Sequence, residues 1–104
     1  MWYWRKYSNG VAECWGRTTS TRSSAGWGNI FYASGTDPAW NFPSNLFAAS
    51  PVLTVYLQSG NQWAALGSLY DCTASVTPRL MPVCGVAYTD NVCTLHMHAI
   101  GRWK

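Results

Sequence analysis

Residues 1–16 read MWYWRKYSNGVAECWG, and this stretch decides the fold. Two aromatic-rich runs flank Ser8, Asn9 and Gly10. The Asn-Gly pair favours a tight β-hairpin, because both residues tolerate the positive φ of a type I′ turn. Each face of both arms mixes large side chains with small or polar ones, so neither face is cleanly polar. We therefore predict a hairpin over residues 2–16 whose strands are covered on both sides.

The rest of the chain alternates short apolar runs with turn signals. Residues 17–24 (RTTSTRSS) suit an exposed loop or a sheet edge, and residues 27–33 (WGNIFYA) suit a strand. Residues 51–58 predict a strand with one wholly aliphatic face, which should lie in the core. Further strands are expected over residues 62–66, 68–76, 83–88 and 92–100, the last two forming a pair joined by a turn at residues 89–91.

These segments define the expected fold class. No segment shows a sustained helical period, and turn signals recur every ~8–12 residues. About seven short strands therefore predict a single all-β domain over residues 1–104. We expect a compact antiparallel sandwich or barrel.

The composition limits the possible functions. Only 11% of the residues are charged, whereas 15% are aromatic, including seven tryptophans. One small domain would struggle to bury so many rings, so they either fill a subunit interface or are displayed for binding. The net charge of +3 is scattered, which argues against nucleic acid as a partner. No run approaches the ~20 apolar residues of a membrane helix, and no signal-peptide core is visible.

The inventory of reactive residues does not favour an enzyme. Four carboxylates are enough for a glycosidase pair, but nothing in their positions supports one, and no G-x-S-x-G motif is present. The four cysteines allow two disulfides in three pairings but contain no C-x-x-C. We favour the interpretation that they are small buried hydrophobes in strands. The cysteines are Cys14, Cys72, Cys84 and Cys93.

The aromatic-x-KYSNGVAECWG pattern of residues 4–16 resembles the opening hairpin of C-terminal head domains on phage and prophage tail fibres. Two later matches follow in the same order as in that family. FPSNLF at residues 42–47 precedes a Val-rich strand at residues 51–55, and AIGRW at residues 99–103 is similar to the closing signature. Residues 26–40 and three of the cysteines have no counterpart in the pattern.

The resemblance implies a homotrimeric head domain that is a fragment of a longer fibre protein. Such a domain would assemble in the bacterial cytoplasm and act outside the cell, at the tail tip of the virion. It would adhere to a bacterial surface glycan or wall polymer without catalysis and without membrane insertion. Two alternatives stay open: a structural cap that trimerises the fibre without recognising a receptor, and a monomeric carbohydrate-binding module of a secreted protein.

Aromatic residues near polar loop residues are the candidates for glycan contact. Exposed rings stack on the apolar faces of sugars, while amide and carboxylate groups bind the hydroxyls. We assign Trp2, Trp4, Trp15 and Trp103 to the core or a subunit interface, because they lie in strands or at a strand end. The candidate glycan-binding residues are Trp27, Tyr32, Trp40, Asn41, Asn61 and Trp63.

His96 and His98 form the most specific constellation, because residues i and i+2 of a strand face the same side. Two imidazoles do not complete a metal site, but three chains around a threefold axis would supply six, a set suited to iron or nickel. Some phage fibres and spikes bind iron through a His-x-His strand at their trimer axis. The resemblance to tail fibres therefore implies such a site for His96 and His98. We favour the alternative of two half-exposed histidines opposite a core face of Leu95, Met97 and Ala99, with no cofactor.

Overall fold

The structure is a computed structural model that describes residues 1–33, 39–60 and 63–104. Within these residues the chain forms strands, turns and loops but no helix, which confirms the all-β prediction. The number of strands is close to the expected seven, but two of them are twelve residues long rather than short. The strands are β1 (Tyr3–Lys6), β2 (Val11–Arg22), β3 (Ser24–Trp27), β4 (Ile30–Ala33), β5 (Val52–Ser59), β6 (Ala65–Leu69), β7 (Arg79–Cys84) and β8 (Asn91–Arg102).

The strands form two antiparallel four-stranded sheets. Sheet 1 has the order β1-β2-β8-β5, and sheet 2 has the order β3-β4-β7-β6. The two long strands pair along their whole length, from Val11 opposite Arg102 to Arg22 opposite Asn91. The two sheets do not close into a barrel, so the sandwich alternative is the correct one. The molecule measures 48 × 22 × 17 Å, with the long strands in sheet 1.

One half of the inner face of sheet 1 packs on sheet 2. Leu95 and Met97 of β8 form a buried cluster with Leu80 of β7. The aliphatic face of β5 packs against this cluster, which confirms the predicted core face of residues 51–58. Apolar area removed from water between the sheets supplies the main stabilisation here, at about 25 cal/mol per Å².

The other half of the inner face is covered by loops instead of a sheet. Small side chains of β2 and β8 leave room there for large rings from the segment between β4 and β5. The rings of Phe42 and Phe47 meet edge to face, with centroids 5.3 Å apart. This second buried cluster consists of Ala12, Cys14, Phe42, Leu46, Phe47 and Ala99.

The opening hairpin is present, with a different turn from the one predicted. The N–H of Tyr7 donates to the carbonyl of Val11 at 2.8 Å, and that of Gly10 donates to the carbonyl of Tyr7 at 3.1 Å. Gly10 has a φ of 94°, whereas Asn9 does not have positive φ. The connection is therefore a three-residue loop with glycine in the left-handed position, and the type I′ prediction is wrong. Asn9 instead uses its Oδ1 to accept from the N–H of Val11.

Two further segments differ from their predicted form. Residues 27–33 contain a turn at Gly28, whose φ is 61°, so a β3–β4 hairpin replaces the single strand. Residues 17–22 continue β2, and β1 pairs only with residues 12–15 of that strand. Among the described residues, β2 is therefore unpaired on one side beyond Trp15. This matches the sheet-edge alternative for the RTTSTR run.

The predicted pairing near the C-terminus is wrong. β7 lies in sheet 2 and β8 in sheet 1, because β2 and β5 occupy both edges of β8. The turn between them is real, and Asp90 has a φ of 50°. The expected strand over residues 68–76 is also wrong, since β6 ends at Leu69 and Tyr70 follows with a φ of 71°.

Candidate functional site

Sheet 1 has an outer face that the described residues leave open. Along β8, Leu95, Met97 and Ala99 are buried on the inner face, whereas the alternate residues face outwards. The same period-two alternation divides β2 and β5. The outward set is neither uniformly polar nor uniformly apolar. It contains aromatic, imidazole, guanidinium and hydroxyl groups.

The strand register sets these groups in rows across the sheet. Trp15 lies between Tyr3 of β1 and His98 of β8, and Thr54 of β5 continues this row. Neighbouring strands are about 4.8 Å apart, and successive outward rows are about 6.7 Å apart along a strand. The next row contains Arg17, His96 and Tyr56.

The two rows line a shallow groove of about 500 Å³, which we call the histidine groove. Its apolar walls are aromatic, since Tyr3 is 69% exposed, Tyr56 is 63% exposed and Trp15 is 37% exposed. The groove is lined by Tyr3, Trp15, Gly16, Arg17, Thr54, Tyr56, His96, Met97 and His98.

The Trp15 ring is held by neighbours on both sides. It stacks on Tyr3 with ring centroids 6.2 Å apart and planes inclined by 21°. The guanidinium of Arg5 lies 5.4 Å from the centre of the Trp15 ring, within the range of a cation–π contact. The indole therefore stands on the outer face in a fixed orientation.

Two expectations about these aromatic residues are corrected. All four residues of β1 are exposed, so this strand is not covered on both faces. Trp4 and Trp15 are exposed in the single chain and do not belong to its core, whereas Trp2 and Trp103 are half-buried. Trp15 is exposed because the outer face of sheet 1 has no cover within the described residues. Trp4 lies opposite Cys14 on the inner-face side, but on the edge strand β1, where it lines a pocket with Pro43 and Leu46 and stays 55% exposed. A place for these rings in a subunit interface stays a prediction.

Glu13 organises the polar side of the outer face. Its Oε1 accepts from Arg5 Nε at 2.5 Å and from Tyr7 Oη at 2.6 Å. Its Oε2 accepts from His98 Nε2 at 3.0 Å. The hydrogen bond from Tyr7, followed by those from Arg5 and His98, lowers the pKa of Glu13 to about 2. The carboxylate is therefore ionised at neutral pH and fixes the orientation of the His98 ring.

Both histidines project onto the outer face with one nitrogen engaged. His96 Nε2 lies 3.1 Å from Gln58 Oε1 and donates to it, as His98 Nε2 does to Glu13. In the neutral imidazoles, Nδ1 is then the free acceptor. The part of the chain that the structure describes contains no group of three or more side chains able to hold a metal ion. A six-imidazole site in a trimer stays a prediction, and it would use Nδ1 or displace these hydrogen bonds.

The candidate glycan residues predicted from the sequence are spread over the molecule. Trp40 is half-buried, packs against the Leu80 cluster and lines a cleft of about 260 Å³ between the sheets. Asn41 forms an isolated bridge with Val76, and its carbonyl accepts from Trp2 Nε1 at 2.7 Å. The Trp40 side chain therefore belongs to the packing of the core, whereas Asn41 is exposed and contributes its backbone to the loop that covers it.

The other candidates lie on or beside sheet 2. Trp63 is 96% exposed and lines a separate groove of about 400 Å³ with Ile30. Trp27 is 63% exposed at the end of β3, and Tyr32 is half-buried in β4. Asn61 lies outside the described residues. The structure therefore does not bring the predicted set together as one surface.

The sequence reasoning missed Tyr3, Arg17 and Tyr56 as groove residues. A signal for Tyr56 was present, because Val52, Thr54 and Tyr56 fall opposite the aliphatic face of the same strand. The position of Tyr3 beside Trp15 and His98 depends on the pairing of β1 with β2 and of β2 with β8. Only the second of these pairings joins distant parts of the chain.

Comparison with known proteins gives no relative. No family model matches the chain, no curated protein is significantly similar to it, and no solved structure matches its fold. Within the described residues, no helix has the length and apolar character needed to cross a membrane.

Proposed function

We propose that this chain is an adhesion domain, the C-terminal head of a phage or prophage tail fibre, and that it binds a bacterial surface glycan through the histidine groove. The observation that supports this is the exposure of Tyr3, Trp15 and Tyr56 beside hydrogen-bonding groups on one rigid sheet face. Aromatic rings stack on the apolar faces of sugar rings, and neighbouring polar groups bind the hydroxyls. The resemblance of the opening hairpin to tail-fibre heads supports the same function.

The side chains of the histidine groove are preorganised for binding. Trp15 is fixed by Tyr3 and Arg5, and His98 is fixed by Glu13. His96 lies against the ring of Tyr56, with centroids 5.6 Å apart. A site whose side chains are already ordered loses less conformational entropy on binding, so weak stacking contacts contribute more to affinity.

Binding without catalysis is the consistent interpretation of the carboxylates. A glycosidase needs two carboxyl groups about 5–10 Å apart across the scissile bond. Glu13 is the one carboxylate on the strands of sheet 1, and it already accepts three hydrogen bonds. We propose that the domain acts at the tail tip as a homotrimer, in which three weak sites strengthen each other through effective concentration.

The experiment measures binding of the purified chain to a panel of immobilised bacterial lipopolysaccharides, capsular polysaccharides and wall teichoic acids. Tyr56→Ala removes an exposed ring of the groove, and Trp63→Ala removes an exposed ring from the groove on sheet 2. We expect Tyr56→Ala to weaken binding about tenfold, a free-energy change of ~1.4 kcal/mol. Trp63→Ala should bind like the unmodified chain.

Two results would contradict the proposal. Absence of binding to every member of the panel would argue against an adhesin. Loss of binding in Trp63→Ala with full binding in Tyr56→Ala would move the site to sheet 2. Both replaced side chains are largely exposed, so each variant is expected to keep the fold, which circular dichroism checks.

A further inference from the structure

Resting on the proposed function, we infer that the glycan bound by the histidine groove is acidic and that Arg17 pairs with its negatively charged group. The groove combines aromatic walls with an excess of positive charge. This charge selects among glycans that would otherwise stack on the same rings equally well. The proposal thus names a ligand class and a specificity-determining residue.

The position of Arg17 is the first argument. It lies directly opposite His96 on the neighbouring strand, in the same row as Tyr56, and lines the groove. Its side chain is exposed, and none of the described carboxylates forms an ion pair with it. A guanidinium offers five N–H donors in a planar fork that fits a carboxylate or a phosphate.

The charge balance of sheet 1 is the second argument. Glu13 is the one carboxylate on its four strands, and the ion pair with Arg5 compensates the charge of Glu13. Within the described residues, the positive charge of Arg17 therefore stays uncompensated on this face. A charge-assisted hydrogen bond between Arg17 and a ligand anion is about twice as strong as a neutral one.

The neighbouring polar groups are the third argument. In the neutral form of each histidine, Nδ1 would be an acceptor for sugar hydroxyl donors, and Thr54 adds a hydroxyl in the Trp15 row. Arg17 supplies donors alone. Acceptors beside a cationic donor suit a sugar with several hydroxyls and one acidic substituent. The substituent is either the carboxylate of a uronic acid or a phosphodiester between sugar units.

The test compares four immobilised polymers. Polygalacturonate presents carboxylates, and poly(glycerol phosphate) presents phosphodiesters. Fully methyl-esterified polygalacturonate keeps the rings and linkages of the first but is neutral, and dextran is a second neutral polymer. We expect at least tenfold tighter binding to one of the acidic polymers than to either neutral one. The preferred acidic polymer then distinguishes a carboxylate from a phosphodiester.

The matched variants are Arg17→Gln and Arg79→Gln, which change the net charge equally. Arg79 lies on β7 of sheet 2, with its guanidinium 5.4 Å from the ring centre of Tyr70. We expect Arg17→Gln to lower the affinity for the acidic polymer at least tenfold and to reduce weak binding to the neutral polymers much less. Arg79→Gln should change the affinity less than twofold.

Several results would overturn this inference. Equal binding to acidic and neutral polymers would overturn it and leave the proposed adhesion intact. Equal losses in the two arginine variants would show that net charge acts without a defined site. No binding to either acidic polymer would also contradict the inference, and the bacterial polysaccharide panel would then decide separately whether the chain is an adhesin.

Discussion

The two faces of sheet 1 are made from the same strands and have opposite characters. On the inner face, β2 and β8 contribute Ala12, Cys14 and Ala99, small side chains that are fully buried. On the outer face, the same strands contribute Trp15 and His98, which the described residues leave uncovered. The difference teaches that side-chain size is a poor guide to burial in this sheet. The rings of Tyr3, Trp15 and Tyr56 lie outside, and the small residues allow loops to pack closely inside.

The first test of the difference between the two faces shortens one aliphatic side chain on each face of β8. Leu95 is 6% exposed and Ile100 is 41% exposed. We expect Leu95→Ala to lower the free energy of unfolding by about 2–5 kcal/mol, because it leaves a cavity between the sheets. Ile100→Ala should cost less than about 1 kcal/mol, since part of its surface is already in water. Urea unfolding midpoints measure both, and equal costs would contradict the sidedness of the strand.

The second test adds a methyl group rather than removing one. A Cβ on Gly101 would lie 3.1 Å from the Phe47 ring and 3.1 Å from the backbone of Pro51, whereas a Cβ on Gly26 would meet no atom within 4 Å. We expect Gly101→Ala to destabilise the fold by about 1–3 kcal/mol through overpacking. Gly26→Ala should be neutral or stabilising by up to about 1 kcal/mol, because alanine restricts the unfolded chain. Thermal unfolding of the two variants checks this, and a harmless Gly101→Ala would mean that the loop covering is loose.

The smallest expected effect concerns the polar network of the outer face. The pKa of Glu13 lies at about 2 in the fold, below its ordinary value of 4.5, because Tyr7, Arg5 and His98 donate to the carboxylate. Ionised Glu13 therefore stabilises the fold above pH 4.5, and this contribution is lost as the pH falls towards 2. We expect the stability difference between the unmodified chain and Glu13→Gln to shrink over that range. A stability difference between the two proteins that stays constant from pH 6 to pH 2 would contradict the stabilising role of ionised Glu13.

Local patterns in the sequence predicted local structure well. The alternation in residues 51–58 gave the correct core face, and Ser8, Asn9 and Gly10 gave the correct hairpin, because turn chemistry and period two act over a few residues. The pairing of residues 83–88 with residues 92–100 failed, because β8 takes its partners from distant β2 and β5. Nothing in the composition of one strand specifies a partner that is 34 or more positions away, as every partner of β8 is.

For the candidate site too, sequence patterns predicted local features and missed those that depend on distant strand pairing. The shared orientation of His96 and His98 follows from strand periodicity alone, and the structure places both in one groove. Their neighbours Tyr3 and Arg17 come from other strands through the register of the sheet. The sequence favours aromatic residues beside polar loop residues as glycan contacts, because rings stack on sugars while amide and carboxylate groups bind the hydroxyls. In this molecule one sheet face brings three aromatic rings into a single groove, whereas the predicted aromatic residues are spread over the molecule.

The pairing of β2 with β8 has a consequence for how the protein folds. These strands lie near opposite ends of the chain, and together they form the centre of sheet 1. Closing so long a loop costs entropy before any contact compensates for it, and folds dominated by such pairings form in milliseconds to seconds. The groove is therefore assembled late, after the last strand has been synthesised. Until then Ala12 and Cys14 of the opening hairpin, which are fully buried in the fold, lack the strand that covers them, and this makes the nascent chain prone to association.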